Sequence, residues 1–353
     1  MNKPLIRVFK VLSSILIIAV YFLVLVNGIV RSTGLGMGCP DLPNCFGEAY
    51  PPSHVSELPL DYKSQYEIFQ ERKFEGLISS LNRLGLEAIG SEIIFSKSEF
   101  LEYNVQKAFY GYIDHYLSIF IGILVSANLL VASFLFLESK RIVFLSIGSF
   151  VLTGLYLVIE NFLVSTMAMF GVFSMELAIV CLLLITLIYS RFHISRTTWS
   201  GLLSHKPYKV RRMLVVCMVL FIAQLLLGTQ VREVVDSLTS RYNILDKSLW
   251  IGEMGMTYYV HRFYGILLLV LHMYLVFRLT KSVAFFSSAK ILVWLLIGFF
   301  VLQVVSGIVL SNFAFPKVFQ SAHLVVAMLI FGVQYFLYLL IREKVELSEV
   351  DHV

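Results

Sequence analysis

Apolar residues along this chain neither alternate with polar ones as in a half-buried strand nor keep to one stripe as in a soluble helix. They run on, in stretches near the 20 or so residues that cross a bilayer as helix. Eight runs are predicted as spans: Val11–Val30, Tyr116–Leu137, Ile142–Ile159, Phe170–Ser190 (broken only by Glu176), Met213–Val231, Phe263–Phe277 extended outward through Tyr258–His261, Ile291–Phe315 and Val318–Ile341. No proline falls inside any of them, so whole helices are expected rather than the broken helices of a transporter. The first run is too long for a cleavable signal, and no small-residue cleavage site follows it. The expected fold is all-α, a polytopic membrane protein of eight helices.

Composition agrees. Hydrophobic residues make up 58%, charged residues 14%, and the mean hydropathy is +0.82, whereas a soluble domain carries about 25% charged residues. Lipid must be the solvent of most of this surface. A soluble enzyme, a nucleic-acid binder and a disordered scaffold are excluded. The formal charge of +5 speaks of orientation rather than of an anionic partner. Lys3, Arg7 and Lys10 precede the first run, Lys140 and Arg141 sit between the second and third, and Arg191, Arg196, Lys206, Lys209, Arg211 and Arg212 between the fourth and fifth. Arg278, Lys281, Lys290, Arg342 and Lys344 complete that side. Both termini are therefore expected in the cytoplasm, with the chain in the cytoplasmic (inner) membrane. The one large exported piece is residues 31–108, opening on Gly34, Gly36, Gly38 and Pro40. It holds Cys39 and Cys45, which on the oxidising side either form a disulfide or stay two free thiols. Cys181 and Cys217 fall inside runs and read as small hydrophobes.

The halves repeat. Tyr112-Ile113-Asp114-His115-Tyr116 parallels Tyr259-Val260-His261-Arg262-Phe263 at an offset of 147, and Ser174-Met175-Glu176-Leu177 parallels Ser321-Ala322-His323-Leu324 at the same offset. Val30-Arg31 corresponds to Val231-Arg232 at 201, the excess being the longer first loop. Two pseudo-repeated four-helix bundles follow, residues 1–200 with the exported loop and residues 201–353.

Ionisable groups inside spans are costly and mark function. His261 and His323 each sit about one turn inside the exported end of helices running in one direction, so they share a depth. Two imidazoles at one depth in an apolar bundle suit the two axial positions of a heme iron; the plainer alternative is two unrelated histidines bonded to nearby carbonyls. Arg262 and Arg232 lie at the same level, placed for heme propionates or for lipid headgroups. His272, 11 residues after His261, lies roughly 16 Å deeper by helical rise and reads as a core or gating histidine. His54, His193, His205 and His352 fall in loops or the tail. The first-half counterparts of the two histidines are Asp114 and Glu176, with His115 beside the former.

These residues carry a resemblance. Gly28-Ile29-Val30-Arg31-Ser32-Thr33-Gly34-Leu35-Gly36-Met37-Gly38-Cys39-Pro40-Asp41-Leu42-Pro43-Asn44-Cys45-Phe46-Gly47 is similar to the first-helix signature of heme A synthases, V-R-x-T-G-S-G-x-G-C-P-D-W-P-x-C-x-G. Leu227-Gly228-Thr229-Gln230-Val231-Arg232-Glu233 resembles its fifth-helix counterpart, and Tyr259-Val260-His261-Arg262 and Gln320-Ser321-Ala322-His323-Leu324 resemble its heme-ligand motifs. The resemblance implies heme b on His261 and His323 in the second half and heme O as substrate in the first. It implies oxidation of the heme O C8 methyl to a formyl group, with oxygen from water, and a paired Cys39 and Cys45. Implied partners are heme O, the heme O synthase that supplies it, terminal oxidase assembly, membrane lipid and a second copy of the chain, with no nucleic acid.

The first half departs from the family pattern. The family's E-x-x-H-R at the second helix is Gly111-Tyr112-Ile113-Asp114-His115 here, and its fourth-helix histidine is Glu176. Glu176, Asp114 and His115 are the candidate catalytic side chains. Two readings of different class stay open: a heme A synthase working with substituted residues, and a non-catalytic heme-binding membrane protein serving as carrier, electron relay or assembly partner.

Overall fold

The computed structural model describes residues 3–33, 36–83, 85, 102–166, 172–195, 208–241, 250–282, 288–313 and 315–350. The expected division at 200 and 201, Gly34, Leu35, Phe170, Arg196, His205, Lys206 and His352 lie outside them. The helices longer than one turn are α1 (Lys3–Ser32), α2 (Tyr62–Arg83), α3 (Val105–Phe134), α4 (Lys140–Thr166), α5 (Val172–His193), α6 (Tyr208–Arg241), α7 (Gly255–Ser282), α8 (Ser288–Asn312) and α9 (Lys317–Val350). Among the described residues there is no strand, and all of these helices but α2 are long and apolar enough to cross a membrane. The helices outrun the apolar runs. α4 passes Glu160 and α6 reaches Arg241, because backbone hydrogen bonding continues wherever polar side chains find protein or headgroup partners.

The eight long apolar helices form two groups of four. α1 packs on α3, α3 on α4, α4 on α5 and α5 on α1; α6, α7, α8 and α9 close the same circuit. α1 and α5 pack on α9, and α5 also touches α6, so the repeat carries the α1–α9 contact onto the α6–α5 contact. The detail agrees: a Cβ on Gly28 would lie 3.3 Å from Ser321 Cβ, while the repeat mates Thr229 and Ser174 share a hydroxyl hydrogen bond of 2.6 Å. Leu16, Val20, Leu184, Met328 and Phe331 are buried in the largest core, which runs through both groups. The outward faces carry Ile18, Phe144, Val158, Leu267 and Val270, all more than half exposed, as lipid contact requires.

The loop closes on itself. Met37 N–H donates to Glu102 O at 2.9 Å and Asn104 N–H to Met37 O at 3.0 Å, pinning its beginning to its end. Gly36 has φ of 133°, and a Cβ there would strike Asn104 Cβ at 2.6 Å, so only glycine suits. Asn104 then caps α3, its side chain accepting from Lys107 N–H. Cys39 and Cys45 are joined by a disulfide; Cys45 is buried with Met37, Phe46, Leu58, Tyr66 and Tyr103. On the surface Lys63 pairs with Glu102 at 2.6 Å. Their hydrogen bond holds the Glu102 carboxyl below, and the Lys63 ammonium above, their ordinary ranges, but so exposed a pair adds little stability.

Candidate functional site

His261 on α7 and His323 on α9 are both half-buried in the second bundle. What surrounds them comes from α6 and α8 in matched sets. α6 reads Phe221-x-x-Gln224-x-x-x-Gly228 and α8 reads Phe300-x-x-Gln303-x-x-x-Gly307. This is one pattern used twice, and at helical spacing each set lies along one face. Gly228 leaves open the flank of His261, where a Cβ would meet Cε1 at 3.2 Å; Gly307 does the same for His323 at 3.4 Å. Gln224 Nε2 donates to the His261 carbonyl at 2.9 Å, and Gln303 Nε2 lies 2.9 Å from His323 Nε2. Phe221 and Phe300 meet edge to face, ring centroids 6.2 Å apart, two turns further along.

The tautomer of His323 follows from its partners. Ser306 Oγ lies 3.0 Å from Gln303 O and 2.8 Å from His323 Nδ1; with its one proton given to the carbonyl, it accepts from Nδ1. Nδ1 carries the proton, and Nε2 presents its lone pair to the Gln303 amide. That is the form an iron ligand needs, with the second nitrogen fixed by a neighbour. His261 Nδ1 is buried with no partner. An orphaned imidazole nitrogen on His261, a second imidazole whose Nε2 meets the Gln303 amide, and glycine-opened flanks together fit a heme held by these two side chains.

The remaining sequence candidates fall in different places. Arg232 Nη2 donates to Arg31 O at 2.8 Å and pairs with Asp236 at 2.8 Å, which puts it in the seam between the bundles. Arg262 is exposed. His272 is fully buried, bonded through Nδ1 to Leu268 O at 2.7 Å, with its ring 4.5 Å from that of Phe300. It packs beside the aromatic pair below the histidines.

In the first bundle Asp114 and Glu176 are both buried, 7% and 4% exposed. His115, the adjacent residue, turns elsewhere: it is half-buried, its ring edge-on to Tyr116. Sequence reading missed three residues that the fold adds. Glu160 on α4 stands beside Asp114 and accepts from Ser118 Oγ at 3.4 Å. Asn27 on α1 donates to Glu176 Oε1 at 3.0 Å and approaches the Tyr156 hydroxyl at 3.4 Å. Arg31 lies over the Phe173 ring, 3.8 Å from its centroid. Glu160 escaped because the apolar run ends at Ile159, which made it look like the first loop residue; the 147 offset, extended to the third helix, pairs it with Gly307 and would have exposed it.

Comparison with known proteins gives one family: a family model described as cytochrome oxidase assembly protein matches residues 96–335. No curated protein matches the chain.

Proposed function

Because the chain belongs to the cytochrome oxidase assembly protein family, the family of the heme A synthases, we propose that it oxidises the C8 methyl of heme O to a formyl group with oxygen from water. Membership by itself places it in heme A biosynthesis for oxidase assembly, as an oxidoreductase in kind. The substrate, the sites and the orientation are our reading. The observation that carries it is the paired cradle of the second bundle. His261 and His323 would hold heme b, which when bound supplies one-electron transfer.

The chain's residues do the rest. Ser306 fixes the His323 tautomer, Gln224 anchors the α7 backbone beside His261, and Gly228 and Gly307 keep the ring flanks open. Phe221 and Phe300 exclude water below. In the residues 1–200 half, Asp114 and Glu176 are the groups placed to take protons released as the methyl is oxidised. The basic residues of the short loops support a chain with both termini in the cytoplasm and residues 31–108 exported. Heme O synthase as supplier and the terminal oxidase as destination follow from the same chemistry.

One observation favours the second reading, a non-catalytic heme carrier or relay. Every first-bundle counterpart of the heme-holding residues is changed. Expression in a host supplied with heme O, followed by chromatography of extracted hemes, separates the two. A heme A peak that His261→Ala abolishes supports oxidation; heme b bound in stoichiometric amount with no heme A formed favours the carrier.

A further inference from the structure

The repeat maps the cradle of the second bundle onto named positions of the first. His261 and His323 correspond to Asp114 and Glu176, Gly307 to Glu160, Gln303 to Tyr156, and, through the 201 offset, Gly228 to Asn27. Where the second bundle keeps two glycines beside its histidines, the first carries two long polar side chains, and both reach across the centre. Asn27 Nδ2 donates to Glu176 Oε1 at 3.0 Å, and Glu160, which accepts from Ser118 Oγ at 3.4 Å, stands beside Asp114. The space that one bundle leaves open, the other fills with its own polar side chains.

We propose that Asn27, Asp114, Tyr156, Glu160 and Glu176 form a proton-holding water site, occupying the positions at which the other bundle is built for a porphyrin. Two ionised carboxylates side by side and out of water repel and offer only acceptors, so Asp114 and Glu160 call for one proton held between them. Two oxygens still lack partners, Asp114 Oδ1 and Glu176 Oε2, on side chains that are more than nine-tenths buried. An unpartnered buried oxygen is expensive and calls for a donor. Beside Glu176 lies a cavity of about 20 Å³ lined by Asn27, Tyr156 and Glu176 among apolar neighbours. That is room for one water, which would donate to Glu176 Oε2 and meet Asn27 and Tyr156. The surrounding charges are Arg31 from α1 and, beyond it, Arg232, Glu233 and Asp236 from α6.

The chemistry is proton exchange alone. An arriving proton forms an O–H bond to one carboxyl oxygen of the Asp114–Glu160 pair, and the proton already held leaves from the other; no electron moves. The inference stands apart from the oxidation proposed above and restricts it, since a heme O oxidised by this chain would have to sit outside the positions that these five side chains fill.

The test uses the purified full-length protein with excess heme b. One heme per chain is expected, with an infrared band of a protonated carboxyl that shifts in heavy water. Glu160→Gln and Asp114→Asn should each remove that band while the heme spectrum stays unchanged, and Glu160→Asp should keep it. A band indifferent to Glu160→Gln, or a second heme in the wild type that Asp114→Ala and Glu176→Ala release, overturns the proposal. Placing histidines at both ligand positions (D114H with E176H) should leave the count at one, because the flanks stay filled. Adding N27G and E160G should raise it to two; two hemes before the glycines are added also overturns it. The oxidation reading fails separately. Absence of heme A with band and count as expected removes that reading and leaves the site standing.

Discussion

Either His261→Ala or His323→Ala should convert a two-histidine low-spin heme spectrum to high spin or abolish it, and the glycines make a finer test of the same geometry. Alanine at 228 places its Cβ 3.2 Å from His261 Cε1, tighter than ordinary contact, whereas alanine at 307 places it 3.4 Å from His323 Cε1. The first must push its ring aside and the second need hardly do so. Heme titration of the two variants should therefore show Gly228→Ala weakened more than Gly307→Ala; the reverse order would mean that the flanks do not face the bound group. Ser306→Ala removes the acceptor that sets the His323 tautomer, and a lost supporting partner of this kind costs on the order of 10-fold in affinity. Unchanged affinity would show that another group takes the Nδ1 proton. His261 and His323 were legible in sequence because an imidazole inside an apolar run is conspicuous. Gly228, Gly307, Gln224 and Gln303 were not, since glycine and glutamine in a helix have many uses and only the contacts tell which one applies.

Elements position these residues, and the long first loop shows how. Its ends are joined by the Met37–Tyr103 pairing, and the Cys39–Cys45 bond closes a short ring inside its core. Cutting that bond with Cys39→Ser frees the unfolded loop by about 2 kcal/mol on the chain-entropy account. Limited proteolysis should then cleave within residues 36–83 sooner than in wild type, and intact loop peptides should resist alkylation until reduced. Equal cleavage rates would show that the core of Phe46, Leu58 and Tyr103 holds without the bond. The cysteine spacing left this pairing open beside two free thiols and the family resemblance implied it, but α2 was not foreseen. Its residues, Tyr62–Arg83, are polar overall, and a polar segment inside a long loop gives no hydropathy signal; packing on α4 supplies its partner.

At the scale of the molecule the halves meet along α1, α5, α6 and α9, and in that seam Gly332 on α9 lies beneath the Tyr21 hydroxyl of α1 with no room for a Cβ. Gly332→Leu should force the helices apart, at the roughly 1–3 kcal/mol typical of overpacking. Heme loss and helix unfolding should shift together to lower temperature. Gly298→Ala, where a Cβ meets nothing within 4 Å, is the control and should melt as wild type. If heme leaves the Gly332→Leu variant at the wild-type temperature while helicity falls early, the second bundle holds heme without the support of the first.

The sequence by itself determined the eight spans and the all-α fold, because lipid admits only backbones that satisfy their own hydrogen bonds. It also singled out His261, His323, Asp114 and Glu176, each anomalous against apolar neighbours. Only the tertiary structure decided what those four residues meet. A helix exposes several faces, and which one turns inward depends on crossing partners far away in the chain: Asn27 and Glu176 bond across 149 positions. Glu160 changed from a loop flank to the partner of a buried aspartate, and His115 turned away from the carboxyls beside it, because α3 and α4 pack at a particular rotation that no local pattern encodes.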